Sequence, residues 1–131
     1  MRGVIERLLE GDTTVVQFFA EAKTFWSEFF ELHKNDNDAE LAKAISNAQP
    51  RHEMIFGGDR YLGKVCMPYT AIGTLYDTGK GFEDNRGLAA RVVVAFMSSH
   101  VSLEVKSAAR DAARLYNLTD EPEVEEAIGS Y

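Results

Sequence analysis

VVQFFAEAKTFWSEFFEL, residues 15–32, holds five of the chain's eight phenylalanines and its one tryptophan. The aromatics fall in adjacent pairs, Phe18-Phe19, Phe25-Trp26 and Phe29-Phe30, which breaks the alternation of a strand. Wound as a helix at about 100° per residue, Val15, Phe18, Phe19, Ala22, Phe25, Trp26, Phe29, Phe30 and Leu32 gather on one broad side. Gln17, Glu21, Thr24, Ser27, Glu28 and Glu31 take the other, with Lys23 near the edge. Val15, Ala22 and Phe29 recur every seven residues, as do Phe18, Phe25 and Leu32, which is a bundle seam of extra width. Burying each large side chain contributes roughly 1.5–3 kcal/mol, and so wide an arc needs neighbours on two sides. The aromatics therefore read as core. Only the edge residues Val16 and Phe30 are left for a partner-binding surface. Asp12 or Thr13 is placed to cap this helix, after Gly11 closes a short preceding one, VIERLLE, residues 4–10.

Outward from that helix, Asn-Asp-Asn-Asp at 35–38 makes a cap-rich joint before a short helix, AELAKAISNA, which Pro50 is expected to end. Seven of the ten glycines lie between 50 and 87. There, residues 68–76 suit a helix starting on Pro68, while a strand, or a hairpin across 62–76, suits them as well. DNRGLAARVVVAFMSSH is apolar nearly all round, with Arg91 and Ser98 on a polar edge and Asp84 or Asn85 as cap, and belongs at the centre of a bundle. A buried strand is its rival, given Val92, Val93 and Val94. In SLEVKSAARDAARLY, Val105, Ala108, Ala109, Ala112, Leu115 and Tyr116 share one face. Asn117 ends that helix, and TDEPEVEEAI opens an acidic last one with Thr119 as cap. The expected fold is all-α, a single domain over residues 1–131. It is a compact bundle of about five to six helices, with a small β element in residues 50–82 as the open alternative.

Length and composition agree with this. A chain of 131 residues with 45% apolar content can bury about two-thirds of its unfolded surface. The start, MRGVIERLLEGD, has scattered charges and no secretory signature. The longest apolar run, LAARVVVAFM, is too short to span a bilayer. The single cysteine, Cys66, excludes an internal disulfide and fits a reducing compartment, so a cytoplasmic location without membrane contact is expected. Cys66 itself reads as buried packing.

The net charge is −7 and unevenly spread. Residues 1–48 carry five bases and nine acids, residues 49–116 nine and seven, and residues 117–131 five acids alone. Direct nucleic-acid binding, which depends on Lys and Arg displacing phosphate counterions, fits such a chain poorly. A basic protein partner fits it better.

No strong catalytic, metal or nucleotide motif is present. GDRYLGKV, 58–65, nearly matches a phosphate-binding loop, but Val65 stands where a hydroxyl must hold Mg²⁺. Asp77-Thr78-Gly79 matches the aspartic-protease triplet over three residues only. His33, His52 and His100 lack metal-ligand spacing, so neither metal nor cofactor is expected. Ser98-Ser99-His100 suits a helix-joint cap better than a nucleophile and its base. Asp36, Asp38 and Glu40 alternate as calcium ligands do, without the loop's turn glycine or terminal glutamate.

What remains is acidic surface. Glu21, Glu28 and Glu31 line the outer face of the aromatic helix, continued by Asp36, Asp38 and Glu40. A second group is Asp120, Glu121, Glu123, Glu125 and Glu126. The stretch VIERLLEGDTTVVQFFAEAKTFWSEFFEL, residues 4–32, resembles the start of small helical bacterial immunity proteins of the colicin D type. In these, a short helix and a Gly-Asp/Thr turn lead into a long aromatic helix. The resemblance implies a non-enzymatic inhibitor that covers a toxin, commonly a nuclease with a basic cleft, with acidic side chains. On that reading Glu21, Glu28, Glu31, Asp36, Asp38 and Glu40 meet the partner. Two other readings stay open. One is a small ligand-binding enzyme using residues 57–87, with Asp59, Lys64 and Asp77 as its polar groups. The other is an oligomeric accessory or regulatory protein whose long helix pairs with its own copy.

Overall fold

The computed structural model describes residues 6–7, 10–57, 59–76 and 83–129, and among these the chain is helical with no strand. Six helices follow one another: α1 (Thr13–Leu32), α2 (Asp38–Ile55), α3 (Arg60–Leu75), α4 (Arg86–Ser98), α5 (Leu103–Leu115) and α6 (Pro122–Gly129). The all-α expectation holds, and within the described part of 50–82 the chain is helix rather than strand. The short helix read at 4–10 lies mostly outside the described residues.

Asp12 starts α1 by accepting the N–H groups of Thr14 and Val15. It is held below the usual carboxylate range chiefly by its hydrogen bond from Arg7, 3.1 Å away. Val15, Ala22, Trp26 and Phe29 are buried, and Phe18, Phe19, Phe25 and Phe30 are half-buried against the same core or a smaller cluster beside it. Leu32 departs from the expected core face. It is the last residue of α1 and is 76% exposed. Of the two edge residues, Phe30 packs against the core while Val16 stays exposed.

Two prolines fall where a helix was not expected to continue. Pro50 does not end α2, which runs on to Ile55, and Pro68 sits inside α3 rather than at its first position. Each lacks an N–H and costs its helix one backbone bond. That cost is offset by what lies downstream: His52 and Phe56 after Pro50, and Thr70, Ala71, Ile72 and Leu75 after Pro68, are all buried. At the other end of α2, Asn37 and Glu40 form a reciprocal capping box, each side chain taking the other's backbone N–H.

Of the two forms open to the glycine-rich segment, residues 60–75 take the helical one, and it is one of two central helices. α3 packs against α1, α2, α4 and α5, and α4 against α2, α3, α5 and α6. The glycines of α3 are contact points. A Cβ on Gly63 would lie 2.7 Å from the Glu53 Cα, and one on Gly73 would lie 2.8 Å from the Tyr116 hydroxyl. α4 keeps Arg91 and Ser98 on its polar edge, as its pattern indicates, and buries Ala89, Ala90, Val92, Val93, Ala95 and Phe96. In α5 the alanines 108, 109, 112 and 113 are buried while Leu115, placed on the core face by its spacing, is 48% exposed. The helix stops where Asn117 turns left-handed at φ 57° and Leu118 N–H reaches back to Ala113 O at 2.8 Å, a Schellman closure. The last helix begins at Pro122, two residues later than a Thr119 cap would place it.

Candidate protein-binding surface

The interior contains one polar chain, and its geometry decides whether chemistry happens there. His52, Thr70 and Trp26 come from α2, α3 and α1 and are buried. Trp26 Nε1–H donates to Thr70 Oγ1 at 3.0 Å. His52 Nε2 lies 2.9 Å from the same hydroxyl, and His52 Nδ1 lies 2.8 Å from the Gly63 carbonyl. A carbonyl can only accept, so Nδ1 carries the proton. In the neutral ring Nε2 is then an acceptor, and the single Thr70 hydroxyl proton is shared between it and the Met67 carbonyl, 3.0 Å away. Burial pushes the His52 pKa down to about 4, partly opposed by the Gly63 carbonyl. The ring has no solvent contact, so it fastens three helices together and offers nothing to a substrate. Leu41, Ile45, Ala48 and His52 follow helical spacing on one face of α2. That stripe is the signal that places His52 inside once α2 is allowed to pass Pro50.

A pH dependence follows. In the unfolded chain the imidazole gains a proton near its ordinary 6.5, whereas the folded ring resists until about 4. The stabilisation is complete above 6.5 and is lost as pH falls from there toward 4. It amounts to about 3 kcal/mol at full size. In urea unfolding, the stability difference between the native protein and His52→Gln is expected to shrink by that amount between about pH 7 and pH 4. A difference independent of pH would show that His52 is not held neutral.

The six acidic residues assigned to the partner surface are largely exposed, but they are not equivalent. Glu31 takes Lys34 Nζ at 2.7 Å. Asp36 Oδ2 lies 2.7 Å from His33 Nδ1. Asp38 receives Arg91 Nε at 2.9 Å, and the same guanidinium donates to the Asp36 carbonyl at 3.0 Å. Glu40 serves the capping box. Glu21 and Glu28 stand exposed, seven residues apart on one face of α1, with no ion pair among the described residues. Of the six, only Glu21 and Glu28 have neither an ion pair nor a capping role among the described residues. In the second acidic group, Arg86 binds Asp120 and, at 2.6 Å, Glu121, and also donates to the Asn117 carbonyl. These acids tie the start of α4 to the turn before α6.

Beside Glu28, α1 and α2 leave an open groove of about 640 Å³. Phe25 and Phe29 on α1 and Ala44 and Ala48 on α2 line it; Leu32 and Met54, 76% and 78% exposed, flank it. Glu28 lies on one wall and Arg51 on the other. The aromatic face expected to be mainly core thus has an open side at this groove rather than only at Val16 and Phe30, which no period in α1 alone reveals.

Of the polar groups of the ligand-binding alternative, Asp59 and Lys64 lie among the described residues. Asp59 caps α3 by accepting Leu62 N–H at 3.0 Å. Lys64 lies in α3 near Glu104, where it helps lower that carboxyl after the backbone N–H of Glu104 itself. Asp77, with the triplet it begins, lies outside the described residues. Gly63 of the near phosphate loop sits inside a helix and against Glu53. Ser99 Oγ donates to Phe96 O, and His100 N–H to Ser46 Oγ, a joint between α4 and α2 rather than a catalytic pair. Burial pushes the Cys66 thiol up to about 12, far from a reactive thiolate. Among the described residues no cluster of His, Cys, Asp and Glu could hold a metal ion, and no helix is long and apolar enough to cross a membrane. Comparisons with protein families, curated proteins and solved structures gave no match to the chain.

Proposed function

We propose that the protein is a non-enzymatic binding module that neutralises a basic protein, such as a nuclease toxin, through the acidic outer face of α1. The observation that carries this reading is the pair Glu21 and Glu28, exposed on one helix face and without ion-pair partners among the described residues. Like charges set together on a chain already at −7 oppose folding slightly and favour encounter with a cationic surface. Glu31, Asp36, Asp38 and Glu40 extend the negative field along the end of α1 and the start of α2. Lys34 and Arg91 already compensate Glu31 and Asp38, and Asp36 is hydrogen-bonded to His33, so Glu21 and Glu28 supply most of the attraction.

Affinity capture from cells of the source, with the tagged protein against its Glu21→Lys/Glu28→Lys form, tests the assignment. Cationic proteins held by the native form are expected to be lost by about tenfold or more in the variant, and their capture should weaken as salt screens the contact. The unfolding midpoint should stay where it was. Equal capture by both forms would remove these carboxylates from the binding surface.

A further inference from the structure

The groove between α1 and α2 carries a charge pattern that the acidic face does not account for. Glu28 on its α1 wall and Arg51 on its α2 wall are both exposed, and neither forms an ion pair among the described residues. Ring contacts join Phe18 to Phe56, and Phe25 and Trp26 to His52, so the two helices run antiparallel. That register sets Arg51 near Glu28 along the axis, within roughly 2–8 Å at the helical rise per residue. Leu32 and Met54 stand on opposite walls and toward opposite ends.

We propose that this groove is the contact between two copies of the chain, related by a two-fold axis running along it. Rotation about that axis lays α1 of one protomer over α2 of its partner. Glu28 of each copy then meets Arg51 of the partner subunit in two reciprocal ion pairs, so that the dimer and the cationic partner proposed above compete for Glu28. Leu32 comes over the Ala44 end of the opposite α2 wall, and Met54 over the Phe25 end of the opposite α1 wall. Both exposed apolar side chains are thereby covered in one self-complementary contact. A two-fold axis across the groove would instead set Glu28 against Glu28. A purely cationic helix laid in it would be repelled by Arg51. Only the lengthwise copy satisfies both walls.

Sedimentation or light scattering of the isolated protein tests this without any other partner, so its outcome is separate from the capture experiment. The native protein is expected to show twice the mass of one chain, and Leu32→Asp or Met54→Asp the mass of one chain with unchanged helical circular dichroism. Glu28→Arg and Arg51→Glu should each raise the dissociation constant by about tenfold. The two together should restore it to within about threefold of the native value. A native protein that stays monomeric up to about 100 μM, or a dimer indifferent to Leu32→Asp, would overturn the proposal. So would a doubly exchanged variant as weak as the single ones.

Discussion

Thr70→Val is expected to lose about 4 kcal/mol of stability, measured by urea unfolding near neutral pH. The two side chains are nearly equal in volume, so packing barely changes. What disappears is the hydroxyl that accepts from Trp26 Nε1–H at 3.0 Å and shares its proton between His52 Nε2 at 2.9 Å and the Met67 carbonyl at 3.0 Å. Each buried group left without a partner costs roughly 1–3 kcal/mol, and water has no route to either, since Trp26 and His52 are fully covered. Against a total stability of about 5–15 kcal/mol for a domain, this is a large share. Thr70→Ser keeps the hydroxyl and removes one methyl, which costs about 1 kcal/mol. Equal losses in the two variants would mean that the hydroxyl is not the joint between α1, α2 and α3.

Gly63→Ala comes next, at about 3 kcal/mol. Alanine favours helices over glycine by about 1 kcal/mol, so on an open face this change would help. Here the added carbon would meet the Glu53 Cα at 2.7 Å and its Cγ and Cβ at 3.1 and 3.2 Å. The first of these is backbone and cannot turn aside, so α2 and α3 must part. Their separation also stretches the 2.8 Å contact from His52 Nδ1 to the Gly63 carbonyl. Gly73→Ala is the control. Its obstacle is the hydroxyl at the far end of the half-buried Tyr116 side chain, which can swing away, and the loss should stay below about 1 kcal/mol. Thermal or urea unfolding of the pair separates backbone contact from side-chain crowding.

These residues also show where sequence reading succeeds. α1 announces itself because paired aromatics at helical spacing admit no other element, and α5 because its alanines and charges separate by face. α2 was read short because proline was given its local meaning. The burial of His52 and Phe56 past Pro50 comes from helices distant in sequence and outweighs one lost backbone bond. α3 was illegible for a related reason. Glycine in a single sequence signals a turn, and only the neighbouring Glu53 and Tyr116 reveal it as the space that lets helices touch. The acidic residues could be located by inspection, but their pairing could not. Arg91 meets Asp38 across more than fifty positions, and this removes Asp38 from the unpaired set. Period alone places Leu32 inward, although the last residue of α1 is 76% exposed.

The central claim is that α1 turns its indole inward and its carboxylates outward. With a single tryptophan in the chain, iodide quenching of its fluorescence reads that claim directly. Trp26 has no solvent exposure, so the native protein is predicted to be almost unquenched, and quenching should appear only as urea unfolds it. Quenching of the native protein comparable to that of the unfolded chain would mean that the aromatic face of α1 is open to solvent, and would contradict the account.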